Sequence, residues 1–160
     1  MSTTALALPR PPAGRRAGLV GLAILLPIVL VTTLWPTHFL LRAKPAVVDA
    51  LGRLHDRGAL EWLTWVRLEV LANVAMLVPV ALLLTLVLGA RRWWIAALAG
   101  AAFSVAVELV QWTMPHRVAS LLDIVANTAG AVVGALLGAT IAALLGARRR
   151  RASVGSLAAR

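Results

Sequence analysis

The 160-residue chain has no cysteine, and only six acidic residues and three histidines. The missing cysteine removes any disulfide framework, thiolate metal site or thiol nucleophile. His38, His55 and His116 are scattered over separate segments, where a lone histidine is more often a surface residue than a ligand. No metal cluster, Ser/His pair or phosphate-binding glycine loop is legible, so neither a metal nor a cofactor is expected. The shortage of charge excludes more. With 14% charged and 61% apolar residues and a mean hydropathy of +0.88, a soluble fold of this size could not cover its apolar surface, whereas a bilayer needs no such cover. The net charge of +10 would suggest nucleic acid in a soluble protein. In a membrane protein, orientation in the bilayer explains it without a nucleic-acid partner.

What is present is four apolar runs, 17–35, 70–88, 95–114 and 124–145, each close to the roughly 20 residues that cross a bilayer. Arg10, Arg15 and Arg16 precede the first, Arg91 and Arg92 lie between the second and third, and Arg148 to Arg151 with Arg160 follow the fourth. These ten basic residues have no acid among them, which predicts that they face the cytoplasm. The expected fold is an all-α integral membrane protein of four transmembrane helices. It has both termini cytoplasmic and a long first extracytoplasmic loop, and its place is the bacterial cytoplasmic membrane. The first run is too long for a signal-peptide core and lacks a cleavage site after Trp35, so it reads as an uncleaved anchor.

The organisation expected is a tail over 1–16, a membrane domain over 17–146 and a basic tail over 147–160. In the first loop, residues 45–63 have partly helical apolar spacing and read as an interfacial helix interrupted at Gly58. The tryptophans at span ends suit an interfacial belt. Ala126, Gly130, Gly134, Gly138, Ala142 and Gly146 form a small-residue stripe in the fourth span, and Ala96, Ala97, Gly100, Ala101 and Ser104 form another in the third. The expectation is a tight hairpin of these two spans.

Polar residues share one depth. Glu108 lies about 20 Å along the third span from its cytoplasmic start, in the outer half of a core about 30 Å thick, and Gln111 follows on the same face. Arg117 follows in the next loop, Asp123 and Asn127 open the fourth span, and Asn73 lies near the outer start of the second. Ionisable groups in a membrane are expensive and mark function or buried pairing.

The run Glu108, Gln111, Arg117, Asp123, Asn127, followed by Gly130 and Gly134, resembles the signature of VanZ-like membrane proteins. Asn73 and Pro79 resemble a second motif of that family, in which an Asn precedes aromatic-x-Pro-x-Gly. This chain has Leu77 for the aromatic and Ala81 for the glycine. The resemblance is strongest over 73–145. It implies a four-span domain, associated in some members with resistance to glycopeptide antibiotics such as teicoplanin.

Two readings of the polar layer follow. In one it is structural glue, with Glu108 paired to Arg117 and Asp123 to a neighbouring donor. In the other, Asn73, Glu108, Gln111, Arg117, Asp123 and Asn127 line an outer-leaflet pocket that binds a cell-envelope component, either a lipid-linked precursor or a glycopeptide-type amphiphile. A membrane enzyme acting on an envelope lipid or glycan headgroup, with Glu108 and Asp123 as acid and base, is the alternative. A structural partner subunit is a third. Beyond membrane lipids, no partner can be named from the sequence.

Overall fold

The computed structural model describes residues 13–34, 38–114 and 120–158. Within them the chain is helical: α1 (Ala13–Leu34), α2 (His38–His55), α3 (Trp65–Leu88), α4 (Trp93–Trp112) and α5 (Leu121–Ala158), with a single 3-10 turn, Ala90–Arg92, between α3 and α4. Four stretches are long and apolar enough to cross a membrane: Gly14–Leu34, Trp65–Leu88, Ala90–Trp112 and Leu121–Arg148. The protein is a multi-pass, all-helical membrane protein.

The packing has small residues inside and large ones outside, as expected where lipid solvates aliphatic side chains and helices associate by close approach. Leu77, Ala81, Ala96, Ala97, Ala131 and Ala135 form the buried centre. Ile24, Leu98, Leu109, Val125 and Leu144 are among the large side chains on the outer surface.

Helix α5 organises the bundle. A methyl group added to Gly130 or Gly134 would strike the carbonyl oxygen of Val74 or Val78, and at Gly138 it would lie 2.6 Å from that of Leu82. Three successive turns of α5 therefore rest on the backbone of α3. The adjacent stripe of α5, carrying Ala131, faces α4, where a methyl on Gly100 would collide with the Ala131 side chain. Both α4 and α1 also contact α3, and Gly18 and Gly21 of α1 sit on Leu83, Leu86 and Val87.

This corrects the expected hairpin. The glycine stripe packs on the second span, not on the third, because close approach requires small residues on only one of two helices. The contact between the third and fourth spans uses the stripe beside it. Gly146 meets nothing, so the close contact ends before the last member of the stripe.

Three other boundaries differ. α2 starts at His38 and runs through Pro45 to His55, rather than spanning 45–63, and the chain then turns at Gly58, whose φ is +70°. The basic segment after 146 continues α5 as helix to Ala158. At about 1.5 Å per residue its 38 residues extend about 57 Å, well beyond the core of a bilayer, since falling hydropathy ends a span but does not end a helix. At the other end, α1 already begins at Ala13, within the segment expected as a tail.

The bundle has two unlike ends. Arg15, Arg16, Arg91, Arg92 and Arg148 lie exposed at the end where α1 starts and α3 turns into α4. All six carboxylates lie elsewhere, in α2 and the segment after it or towards the opposite end of the bundle.

Replacing Gly134 with Leu drives a side chain into the Val78 backbone and should destabilise the protein by about 1–3 kcal/mol or more. Gly146→Leu, in the same stripe but with open space around it, should leave thermal unfolding in detergent unchanged. Equal midpoints for the two variants would contradict the α3–α5 contact.

Candidate functional site

The polar end is built where α1 and α4 finish and α3 and α5 start. Glu108 and Gln111 occupy successive turns near the end of α4 and are 7% and 6% exposed. Asn73 lies two turns into α3, and Asp123 and Asn127 are one turn apart at the start of α5. Asn127 is 7% exposed, while Asn73 and Asp123 are partly buried. Arg117, the sixth candidate, lies outside the described residues, as does His116.

Each partnership satisfies a group that lipid cannot. The carboxylate of Glu108 accepts a hydrogen bond from the backbone N–H of Ser120, immediately before α5. The first N–H groups of a helix have no internal acceptor, and the dipole favours negative charge there. A buried acid is thereby placed where the backbone presents partial positive charge. Ser120 also caps α5: its side chain accepts from the Asp123 N–H at 3.4 Å, a long bond, and its carbonyl accepts from the same group at 3.0 Å.

Gln111 Nε2 donates to the Thr33 carbonyl at 2.8 Å, filling one of the acceptors left open in the last turn of α1. Asn73 Nδ2 donates to Asp123 Oδ1 at 2.8 Å, joining α3 to α5. Polar contacts thus tie α1 to α4, α3 to α5, and α4 to the start of α5. The expected partner of Glu108, Arg117, is not described, and the contact observed is to Ser120. Asp123 does have a neighbouring donor, Asn73.

Two buried oxygens remain. Asn127 Oδ1 and Ser104 Oγ have no hydrogen-bond partner among the described residues. Ser104, 1% exposed, departs from the behaviour of other helix hydroxyls here: Thr85 donates to the Ala81 carbonyl at 2.8 Å and Thr33 to that of Val29 at 2.7 Å. The antiparallel seam of α4 and α5 explains how they relate. Gly100 faces Ala131, so one turn further on Ser104 is level with Asn127, and another turn on Glu108 is level with Asp123. Ser104 lies eight residues, about 12 Å, from the end of α4. A file of polar groups therefore runs from the polar end towards the middle of the bundle.

The family model described as VanZ/LLP1 matches residues 22–143, which reaches into all four spans and includes every residue of this cluster. The chain belongs to the VanZ/LLP1 family. No curated protein and no solved structure matches it. At the two positions where this VanZ-family chain departs from the second motif, Leu77 and Ala81 are 1% and 2% exposed and fill the centre of the bundle, so the substitutions alter core packing. Ser104, Ser120 and the Thr33 carbonyl were not singled out as polar partners from the sequence. Ser104 was legible one turn before Glu108 on the same face, whereas backbone partners carry no side-chain signal. Among the described residues, no group of three His, Asp or Glu side chains could hold one metal ion.

A double-mutant cycle with Asn73→Ala and Asp123→Ala, read by unfolding in detergent, should give a coupling of about 0.6 kcal/mol, the average for interhelical hydrogen bonds in membranes. Strict additivity would show that the pair contributes nothing.

Proposed function

We propose that this VanZ-family protein lies in the bacterial cytoplasmic membrane with its arginine end inside, and that its polar end recognises the headgroup of a cell-envelope component from the outer leaflet. The ligand is a lipid-linked precursor or a glycopeptide-type amphiphile, and binding it contributes to glycopeptide resistance. The residues proposed to bind are Asn73, Glu108, Gln111, Arg117, Asp123 and Asn127.

The observation that carries this reading is that Asn127 Oδ1 and Ser104 Oγ, buried at the same level of the α4–α5 seam, have no hydrogen-bond partner among the described residues. Glue accounts for Glu108 with Ser120, Asn73 with Asp123 and Gln111 with Thr33. It gives no reason to bury two oxygens without donors, each at a penalty of about 1–3 kcal/mol. Such a penalty is retained where the groups meet a ligand, and hydroxyl and amide donors of a sugar or peptide headgroup would satisfy them. Orientation is supported by the ten Arg that flank the spans on one side without an acid.

Asn127→Leu separates ligand recognition from glue. It removes an unsatisfied buried acceptor at similar volume, so unfolding in detergent should be unchanged or shifted upward. Binding of a lipoglycopeptide or a lipid-linked muropeptide precursor, read by tryptophan fluorescence in vesicles, should weaken at least tenfold. Loss of stability with binding intact would leave the residue as glue.

Single cysteines at 111, 123 and 127 should react with an impermeant thiol reagent added outside and be protected by the same ligands. Cysteines at Val110 and Val125, whose side chains point outward from the bundle, should not react. Equal reactivity of both sets would count against an aqueous pocket. Reporter fusions at Arg92 and Arg150 should read cytoplasmic and one at Arg53 external, and an external Arg92 would overturn the orientation.

A further inference from the structure

At the arginine end, α1, α3 and α5 do not close on one another. Between them lies a cleft of about 220 Å³, with Gly14 and Arg15 on one wall, Leu86 and Gly89 on the second, and Ala142 and Gly146 on the third. The close backbone contact that brings α5 onto α3 is absent here. The backbone contact of α5 with α3 is strongest up to Gly138, and two turns later Gly146 has no neighbour within 4 Å of where its Cβ would be. Gly14 approaches only the Leu145 side chain, which lies 3.6 Å from its ideal Cβ position. The glycines and Ala142 leave space that larger side chains would fill.

The chemistry of the walls is of two kinds. The cleft is lined mainly by aliphatic side chains and glycines, and its one charged lining residue, Arg15, is exposed. Arg16, Arg91, Arg92 and Arg148 are exposed at the same end. None of the six carboxylates of the chain is at this end to neutralise them: Asp49 lies in α2, Asp56 and Glu61 in the segment after it, Glu69 in the first turns of α3, and Glu108 and Asp123 at the polar end. The first turn of α1 adds the partial positive charge of a helix start. The volume is below the roughly 300–1,000 Å³ of a site that encloses a whole small ligand. It suits a length of hydrocarbon chain whose polar group stays at the rim. Because the cleft opens between membrane-spanning helices, hydrocarbon chains of the bilayer surround it.

We propose that this cleft is a binding site for an anionic phospholipid, with one acyl chain between α1, α3 and α5 and the phosphate held at the rim by Arg15. The site is separate from the polar end and does not depend on what is recognised there. It assigns Arg15 a role beyond orientation: a topogenic arginine needs only to be on the correct side of the membrane, whereas this one lines a cavity. Basic pockets between transmembrane helices with adjoining hydrocarbon are an established mode of holding anionic headgroups.

The test is native mass spectrometry of the full chain released from vesicles of phosphatidylcholine containing one fifth phosphatidylglycerol. The wild-type protein should retain phosphatidylglycerol at least fivefold above its share of the bilayer. Arg15→Gln and Gly146→Phe, which respectively remove the rim charge and fill the cleft, should each reduce that enrichment at least threefold. Arg92→Gln, at the same end but outside the cleft, should not. Unfolding midpoints in phosphatidylcholine alone identify any variant that fails to fold, and Ala142→Phe provides a second way of filling the cleft should Gly146→Phe fail. Soluble glycerol phosphate should not displace the lipid. The proposal is overturned if retention matches bilayer composition, if the cleft variants retain as much as wild type, if Arg92→Gln loses as much as Arg15→Gln, or if glycerol phosphate competes.

Discussion

In a bilayer the hydrophobic effect does not drive helices together, so the approach of α5 to the backbone of α3 at Gly130, Gly134 and Gly138 has to provide the packing on which the other contacts rely. It fixes the register of two parallel helices. With that register set, Asp123 comes within hydrogen-bond reach of Asn73, and the next stripe of α5 is presented to α4. The antiparallel seam with α4 then brings Asn127 level with Ser104, and Glu108 level with the start of α5. A wider separation of α3 and α5 would remove the Asn73 bond and displace the polar file as well.

At the polar end the described contacts join side chains to helix termini. Glu108 meets a helix start and Asp123 a carboxamide, while Gln111 meets a helix end. Two of the three contacts use backbone groups that a helix terminus leaves unsatisfied in any case. Placing polar side chains at the junction of helix ends therefore meets two needs at once. Asn127 and Ser104 lie deeper, beside continuous helix, where the backbone offers no such spare groups.

Much of this was legible in the sequence, and the parts that were not have definite causes. Span number and approximate position follow from hydropathy. The depth shared by Asn73, Glu108, Gln111, Asp123 and Asn127 follows from counting residues along the helices. The glycine stripe was visible, but not the helix it faces: the small residues of α4 suggested a match, whereas α3 offers its backbone at Val74, Val78 and Leu82 without any small-residue signal at those positions. A sequence offers only side chains as partners for Glu108, because a backbone N–H carries no signal in it. The start of α2 and the continuation of α5 are not legible because Pro45 and falling hydropathy look like boundaries, which they need not be.

The glycine contacts also determine how the bundle could move. Each notch of α5 seats one carbonyl of α3, and the notches recur every four residues, so a continuous slide of α5 along α3 would push those carbonyls against the ridges between glycines. The next position of good fit is one turn away, about 6 Å along the axis. Any displacement between these helices would accordingly be stepwise, as in a ratchet. A single step would break the Asn73–Asp123 bond and carry the start of α5 past the end of α4, so the polar end would have one arrangement per step rather than a graded series.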